Sequence, residues 1–555
     1  MGEAGDRPNL SGSFWRGFRT GFIVLVVWFI IRLGGLAPFP PESALVSFFS
    51  FIPASLEEPA VQGLGELAGL VGLLVAMVAG AAVYGLLALV FDRYVLPRMP
   101  SGGPSRLEWI LLYSVVPWLV FGAILLPLTG ESFFGTASNI ASPSVSLIFP
   151  FTILLLQLLW GLLLWGRSPP PLLSPTNGGA APSAGAGPRV PSRRTFVERS
   201  LIYGGVAVVF LASLGSALGA LFSEGNLVAE GSDVILAGTP INTGNVPAIF
   251  GDPRLTPLVN SEVTNNDSFY RVAIDIFDPN VSGSEWSLSL TGLVNNPKSY
   301  SLSDLPKLPR ADEYSTFICV SNLVNGGLIS NAEWGGVKLS DIFADAGGVS
   351  QNATYVVFHS VDGYTVGIPI AKAMEPESIL AYEMNGFPLP QRHGFPLRAV
   401  IPGLYGMMSA KWVREVELSD SVYMGFWQTR GWSNDATVQT ASFIRIPQDG
   451  ASVSLGQNGG TVMIGGVAFA GDRGISKVEV SVDGGKTWEL ATLKPPASKL
   501  SWVLWAYEWT PQGTGQYPIY ARATDGNDQL QTADISYTFP SGATGYVMTT
   551  VNVVS

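Results

Sequence analysis

A single thiol, Cys319, occurs in 555 residues, within the stretch Ser315-Thr-Phe-Ile-Cys-Val-Ser-Asn322. One cysteine cannot close an intramolecular disulfide, so it is a buried filler, a nucleophile or a soft metal ligand. In the third role it must be a thiolate, and metal binding would hold it in that form. Histidine occurs only twice, at His359 and His393. Both lie downstream of the cysteine, among polar stretches that recur at intervals: Asn331-Ala-Glu-Trp-Gly-Gly-Val-Lys-Leu-Ser-Asp341, Ser360-Val-Asp-Gly-Tyr364, Met384-Asn-Gly386, His393-Gly-Phe-Pro-Leu-Arg398 and Lys411-Trp412.

In that order and at those intervals, the stretches resemble the molybdopterin domain of the sulfite oxidase family. The resemblance covers roughly residues 256–545 and rests on many linked motifs. It implies a molybdenum-dependent oxidoreductase carrying a molybdenum-molybdopterin cofactor. Cys319 would be the protein's metal ligand, with the other sulfur ligands coming from the pterin dithiolene. His393, Arg398 and Lys411 match the positions that grip the pterin through its phosphate and ring polar groups. Arginine forks onto phosphate and lysine offers a point charge, which suits that assignment. Their alternative roles are a hydrogen-bonded surface histidine and solvated charges. Asn265, Asn266 and Tyr270 sit where some relatives have further pterin contacts. His359 reads as a structural histidine.

Toward substrate, the family rings its metal with arginines that hold the sulfite dianion, and Arg271 in Phe-Tyr-Arg271 matches one of them. After the cysteine, however, this chain reads Val-Ser-Asn-Leu-Val-Asn-Gly where animal sulfite oxidases carry Asn-Arg-Arg. Gln428-Thr-Arg-Gly-Trp432 stands where they have an Arg and the active-site Tyr, and Arg430 would replace part of that positive field. Fewer fixed cations weaken the case for sulfite. The Cys-Val-Ser-Asn and Pro402-Gly-Leu-Tyr-Gly406 variants resemble the membrane-anchored bacterial branch instead. Three functions stay open. One is oxygen-atom transfer to or from a small sulfur compound or oxoanion; another is reduction of S-oxides or nitrate-type oxoanions on the same cofactor. The third is a non-enzymatic surface binding protein with a degenerate pterin fold.

A mixed α+β domain at 259–421 must position these residues. The chain there alternates β-rich runs at 286–293, 355–359, 365–370, 398–401 and 412–418 with Asn/Gly/Pro turns, and short helices are expected at 339–346 and 370–374. A connector over 224–258 precedes it and a linker over 422–440 follows. Residues 441–555 read as all β. Val478, Val480 and Val482 alternate onto one face, Asp483-Gly-Gly485 makes a tight hairpin, and further runs follow at 502–508 and 517–523. The pattern predicts an immunoglobulin-like sandwich. Its Val482-Asp-Gly-Gly-Lys-Thr-Trp488 hairpin resembles the family's dimerisation domain, which implies a homodimer.

Ahead of all this lies a different kind of chain. No lysine precedes Lys298, and five apolar segments, at 21–36, 67–91, 110–130, 145–166 and 201–222, predict an all-α transmembrane bundle. The first is short unless its ends are extended, and Arg32 near its far end is expected to snorkel to the interface. Arginines cluster before the first segment, between the second and third, and between the fourth and fifth, whereas 37–65 and 131–144 contain no Lys or Arg. The positive-inside rule then puts the N-terminus in the cytoplasm and everything after residue 223 outside the cell membrane.

The N-terminal part is expected to divide into a four-span region (1–166), a Pro/Gly/Ser-rich cytoplasmic linker (167–199) and a fifth span serving as signal anchor (200–223). The linker ends in Ser192-Arg-Arg-Thr-Phe-Val197, which resembles a twin-arginine export signal, a route suited to a domain folded around a cytoplasmic cofactor. With both histidines outside the spans and one cysteine in the chain, no haem and no iron-sulfur cluster is expected. Electrons would pass to an external redox carrier or a membrane partner subunit. From residue 224 onward, 19 Lys and Arg face 32 Asp and Glu, an acidic balance that argues against nucleic acid as a partner.

Overall fold

Four of the five apolar segments form helices in the computed structural model, which describes residues 10–33, 38–42, 44, 66–95, 106–128, 149–165, 238–241, 244–275, 278–456 and 460–555. These are α1 (Leu10–Leu33), α2 (Glu66–Val90), α3 (Arg106–Leu119) and α4 (Phe149–Trp165). The fifth segment, the arginine pair at 193–194 and the linker lie outside the described residues. Helix α1 begins well before its apolar run, taking Arg16 and Arg19 into its first turns. Pro117 lies inside α3. A proline removes one helical donor and crowds the preceding turn, and the chain widens into a π-helical stretch over Val120–Leu125 just beyond it.

Ser11–Arg32 and Val71–Tyr94 are long and apolar enough to cross a membrane by length and composition, whereas Ser114–Leu125 and Phe149–Leu164 are shorter. Small residues let these helices meet. A Cβ on Gly17 or Gly21 would collide with α2 around Tyr84, at 2.4–2.6 Å. The Tyr84 hydroxyl donates to Gln157 Oε1 on α4 at 2.9 Å. Arg32 corrects the snorkelling expectation: it is buried, its Nε 2.9 Å from the carboxylate of Glu42. A charge this enclosed is held by a partner rather than by water.

The C-terminal unit holds the candidate site. Beyond a short antiparallel pair, Gly238–Thr239 with Val263–Thr264, ten strands follow in chain order: β1 (Ser287–Gly292), β2 (Lys298–Ser301), β3 (Arg310–Ile318), β4 (Ile329–Lys338), β5 (Tyr355–Ser360), β6 (Thr365–Pro369), β7 (Ile379–Met384), β8 (Phe387–Pro388), β9 (Arg398–Val400) and β10 (Val413–Ser419). One sheet runs β8-β7-β4-β3, with β9 also on β7; the other runs β2-β1-β10-β5-β6. Helix α5 (Leu339–Asp345) turns Leu339, Ile342 and Phe343 onto one buried face, the 3–4 spacing of a helix. Residues 315–320 are buried without a break, so the end of β3 is covered on both faces and loses its alternation.

Nine more strands follow, two of them only two residues long: β11 (Ala441–Ile446), β12 (Ser452–Ser454), β13 (Val462–Phe469), β14 (Ile475–Ser481), β15 (Glu489–Leu490), β16 (Thr492–Leu493), β17 (Val503–Trp509), β18 (Gly515–Asp525) and β19 (Val547–Val554). They form sheets in the orders β11-β13-β17-β16 and β12-β19-β18-β14-β15. Inward residues of both, among them Val478, Val480, Trp505, Ile519 and Val551, share one core. The expected hairpin is present. The Asp483 carboxylate accepts from the backbone N–H groups of Lys486 and Thr487 at 3.0 Å each, and Gly484 and Gly485 take φ of 79° and 84°.

Candidate active site

Cys319 is the first residue beyond β3, and it opens a loop that returns as β4. The antiparallel pair Ile318↔Ile329 closes the ladder beneath the loop, and Cys319 N–H donates to Leu328 O at 3.0 Å. The thiol is buried and lies 3.0 Å from Ser321 Oγ. Next comes Asn322, whose Oδ1 accepts from Leu328 N–H at 2.9 Å. Its buried Nδ2 has no hydrogen-bond partner among the described residues. Leu323 and Val324 then turn outward and are exposed.

The three expected grip residues come from one segment folded back on itself. His393 ends a 3₁₀ turn at Gln391–His393, and Gly394 follows at φ 115°, a conformation that favours glycine. A Cβ on Gly394 would press within 3.2 Å of Arg398 and Lys411. His393 is fully buried, with Nε2 2.6 Å from Asn266 O. Burial, together with the Arg398 charge, pushes its pKa well below the usual histidine range, so the ring is neutral. Arg398, on β9, lies over the Phe317 and Trp334 rings at 4.6 and 5.2 Å and donates to His393 O at 3.2 Å. Its Nε is buried without a hydrogen-bond partner among the described residues. Burial lowers its pKa to about 10, which leaves it charged at neutral pH.

Lys411 reaches Arg392 O at 3.4 Å and sits 4.2 Å over the Trp412 ring. Burial pushes its pKa down. Asp278 and Asp362 oppose that shift, and Arg271 and Arg398 reinforce it. Neither Arg398 nor Lys411 forms a salt bridge among the described residues. A buried arginine and a neighbouring lysine without a bonded carboxylate, together with an orphaned guanidinium nitrogen, fit an anionic, polar-edged group.

The arginines expected to face substrate are otherwise engaged. Arg271 forks onto Asp278, Nε to Oδ2 at 2.8 Å and Nη2 to Oδ1 at 2.8 Å. Arg430 stacks over Phe426 at 3.4 Å and donates to Phe426 O at 2.5 Å, just ahead of its own 3₁₀ turn at Gln428–Arg430. Of the expected pterin contacts, Asn266 joins the His393 side: its O meets His393, its Oδ1 accepts from Asn385 Nδ2 at 2.8 Å, and its Nδ2 donates to Met384 O at 3.3 Å. The Asn265 carbonyl caps the turn to Ser268 and Phe269. Tyr270 places its hydroxyl against Gly406, where a Cβ would come within 2.4 Å of it, and donates its N–H to Ser330 Oγ at 3.1 Å. His359 is 2.9 Å from Glu417 Oε2, in a structural pair.

Two tyrosines to which the sequence alone assigns no role, Tyr364 and Tyr405, belong to this neighbourhood. Tyr364 donates to Met407 O. Tyr405 accepts from Gln439 N–H at 3.3 Å. Burial raises both pKa values, and the charge of a Cys319 thiolate raises them further, so both hydroxyls stay protonated. Their signal was position: each lies within a stretch that carried the resemblance, Ser360-Val-Asp-Gly-Tyr364 and Pro402-Gly-Leu-Tyr-Gly406. Among the described residues no group of three His, Cys, Asp or Glu could hold a metal. A metal at Cys319 would take its remaining ligands from a bound group.

The family model described as oxidoreductase molybdopterin binding domain matches residues 276–427, and the Mo-co oxidoreductase dimerisation domain matches residues 432–541. Mitochondrial sulfite oxidase of Homo sapiens is 32% identical over 339 residues, covering 53% of this chain and 60% of the relative. The chain thus spans about 60% of the length of that relative. Sulfite oxidase of Arabidopsis thaliana is 32% identical over 348 residues, covering 51% of this chain and 86% of the relative. The crystal structure of the sulfane dehydrogenase SoxCD from Paracoccus pantotrophus has a TM-score of 0.45 and 26% identity, covering 49% of this chain and 75% of that one.

Proposed function

The chain belongs to the sulfite oxidase family of molybdopterin-dependent oxidoreductases, and on that premise we propose that it transfers an oxygen atom to or from a small sulfur compound or oxoanion. The observations that carry this are a buried lone thiol and, on the segment expected to grip the cofactor, an arginine and a lysine that form no salt bridge among the described residues. Cys319 would ligate molybdenum as its thiolate. Arg398 and Lys411 would hold the pterin's phosphate, and neutral His393 its polar edge. Bound there, the cofactor supplies the two-electron redox chemistry of oxygen-atom transfer. The chain's own part is to hold, orient and desolvate. Protonated Tyr364 and Tyr405 keep additional negative charge away from the thiolate. The substrate would gain one oxygen from water while giving up two electrons and releasing two protons, or the reverse, and an external carrier would take or give those electrons one at a time.

One observation favours the reductive direction on a neutral S-oxide. Arg271 and Arg430 are already engaged, and the residues flanking Asn322 toward solvent are Leu323 and Val324. A dianion would find little uncompensated charge there. The arrangement we propose is a membrane-anchored enzyme, its helices forming a five-span bundle and its catalytic part facing the exterior. Exposed apolar side chains along α2, such as Leu74 and Val75, support lipid contact. The two C-terminal sheets would be an immunoglobulin-like sandwich serving a homodimer.

The test is dye-linked turnover by the loaded, full-length chain, using sulfite as donor and dimethyl sulfoxide as acceptor among a panel of small sulfur compounds and oxoanions. Turnover of at least one, lost in Cys319→Ala, is expected. A metal-loaded chain inert to the whole panel would count against the proposal.

A further inference from the structure

Strand β11 of the C-terminal module sends one buried cation into the cysteine loop. The Arg445 side chain donates through Nη1 to Asn325 O at 3.1 Å and Asn325 Oδ1 at 3.0 Å, and through Nη2 to Gly326 O at 2.9 Å. The backbone N–H of Ile444 also donates to Asn325 Oδ1, at 3.0 Å. Four bonds thus run from two consecutive residues of one module to two consecutive residues of the other. Their target is the turn of the loop that begins at Cys319 and closes at Leu328, with Asn325 at φ 63°.

Arg445 is only 6% exposed and forms no salt bridge among the described residues. Burial pushes its pKa down to about 9, so it remains charged at neutral pH. A guanidinium in that position is costly unless its donors are satisfied, and the acceptors named here all come from the cysteine loop. The Phe443 ring, 4.9 Å away on the same strand, supplies the apolar side of its pocket.

We infer that Arg445 is a positioning residue for Cys319: through the Asn325–Gly326 turn, the C-terminal module holds the thiol-bearing loop in its ligating conformation. The module is then part of the support of the metal site as well as an oligomerisation element. The role rests on the reading of Cys319 as metal ligand.

Because Cys319 is the single thiol of the chain, alkylation by iodoacetamide reports on this loop alone. The measurement uses the full-length chain produced without cofactor, so it needs neither turnover nor metal. Arg445→Met is expected to alkylate at least about tenfold faster than wild type, because the loop opens more often. Asn325→Gly keeps the left-handed turn and removes the two bonds to Oδ1, so it should be intermediate. Arg445→Lys should recover part of the protection. Arg473→Met breaks a bridge to Asp525, 2.8 Å, in the same module without a bond to Asn325 or Gly326, and should alkylate at the wild-type rate.

A wild-type rate in Arg445→Met, or an equal acceleration in Arg473→Met, overturns the inference. Should Arg445→Met fail to fold, a wild-type rate in Asn325→Gly overturns it instead. Molybdenum content of the wild-type chain reads the premise separately. No metal there, with a fast Arg445→Met, would overturn the ligand reading while leaving the loop clamp standing.

Discussion

The two groups of basic residues named from the resemblance are built differently. In the proposed cofactor grip, Arg398 and Lys411 have no salt bridge among the described residues and contact carbonyls and aromatic rings. On the proposed substrate side, Arg271 is neutralised by Asp278 and Arg430 folds back on Phe426, while Leu323 and Val324 face solvent. An enclosed charge without a carboxylate keeps its desolvation cost unless its donors are satisfied, as loop oxygens satisfy Arg445; Arg398 keeps an unbonded Nε, which suits an arriving anion. A paired arginine presents almost no net field. On the proposed reading, the fold would offer a strong grip to a cofactor and a weak one to an anionic substrate.

Breaking the strong side should have the largest effect. Arg398→Met is expected to lower molybdenum and pterin content by on the order of 10-fold or more, since each lost charge-assisted bond is worth roughly 1.5–3 kcal/mol. Elemental analysis checks this, and wild-type content would remove Arg398 from the grip. Lys411→Met, at the less enclosed position, should cost several-fold less cofactor than Arg398→Met. A larger loss at Lys411 would reverse the ranking argued from burial.

The weak side can be sharpened rather than broken. Leu323→Arg with Val324→Arg should raise kcat/KM for sulfite about 10-fold relative to a neutral S-oxide, by adding unpaired charge at the loop. Arg271→Met should change that ratio less than threefold, because its charge is already spent on Asp278. A ratio moved more by Arg271→Met than by the double arginine variant would contradict the contrast.

The smallest effect concerns β3, the strand that delivers Cys319. Burial, with help from Glu377, raises the Glu313 pKa from 4.5 to about 8. A raised acid binds its proton more tightly folded than unfolded, so its contribution to stability is present at low pH and is lost as pH rises from about 4.5 to 8. Glu313→Gln should remove that decline and leave the variant more stable than wild type above pH 8, by roughly 1–2 kcal/mol. Thermal unfolding across pH measures it; parallel curves for the two proteins would refute it.

Much of this was legible in the chain. The runs around Val356–Phe358 and Val366–Ile368 gave β5 and β6 because apolar, β-branched residues stop at clear turns. The strands flanking the cysteine were not read. Strand β3 opens with Arg310, Asp312 and Glu313 and ends buried on both faces, and β4 carries Gly335 and Gly336, so neither shows a period of two. His393, Arg398 and Lys411 could be named from the resemblance because they share one short segment. The pairing of Arg271 with Asp278 and the reach of Arg445 into the cysteine loop are tertiary facts, set by strands that only the fold brings together. Arg32 illustrates the same limit, its partner Glu42 standing beyond the helix end.

The most direct measurement is molybdenum per purified full-length chain by elemental analysis, with pterin read by fluorescence after acid oxidation, in wild type and in Cys319→Ala. Near one metal per wild-type chain, lost in the alanine variant, is the expected result. Neither metal nor pterin in the wild type, from a host that makes the cofactor, would contradict the assignment of the buried thiol and its cations to a molybdopterin site.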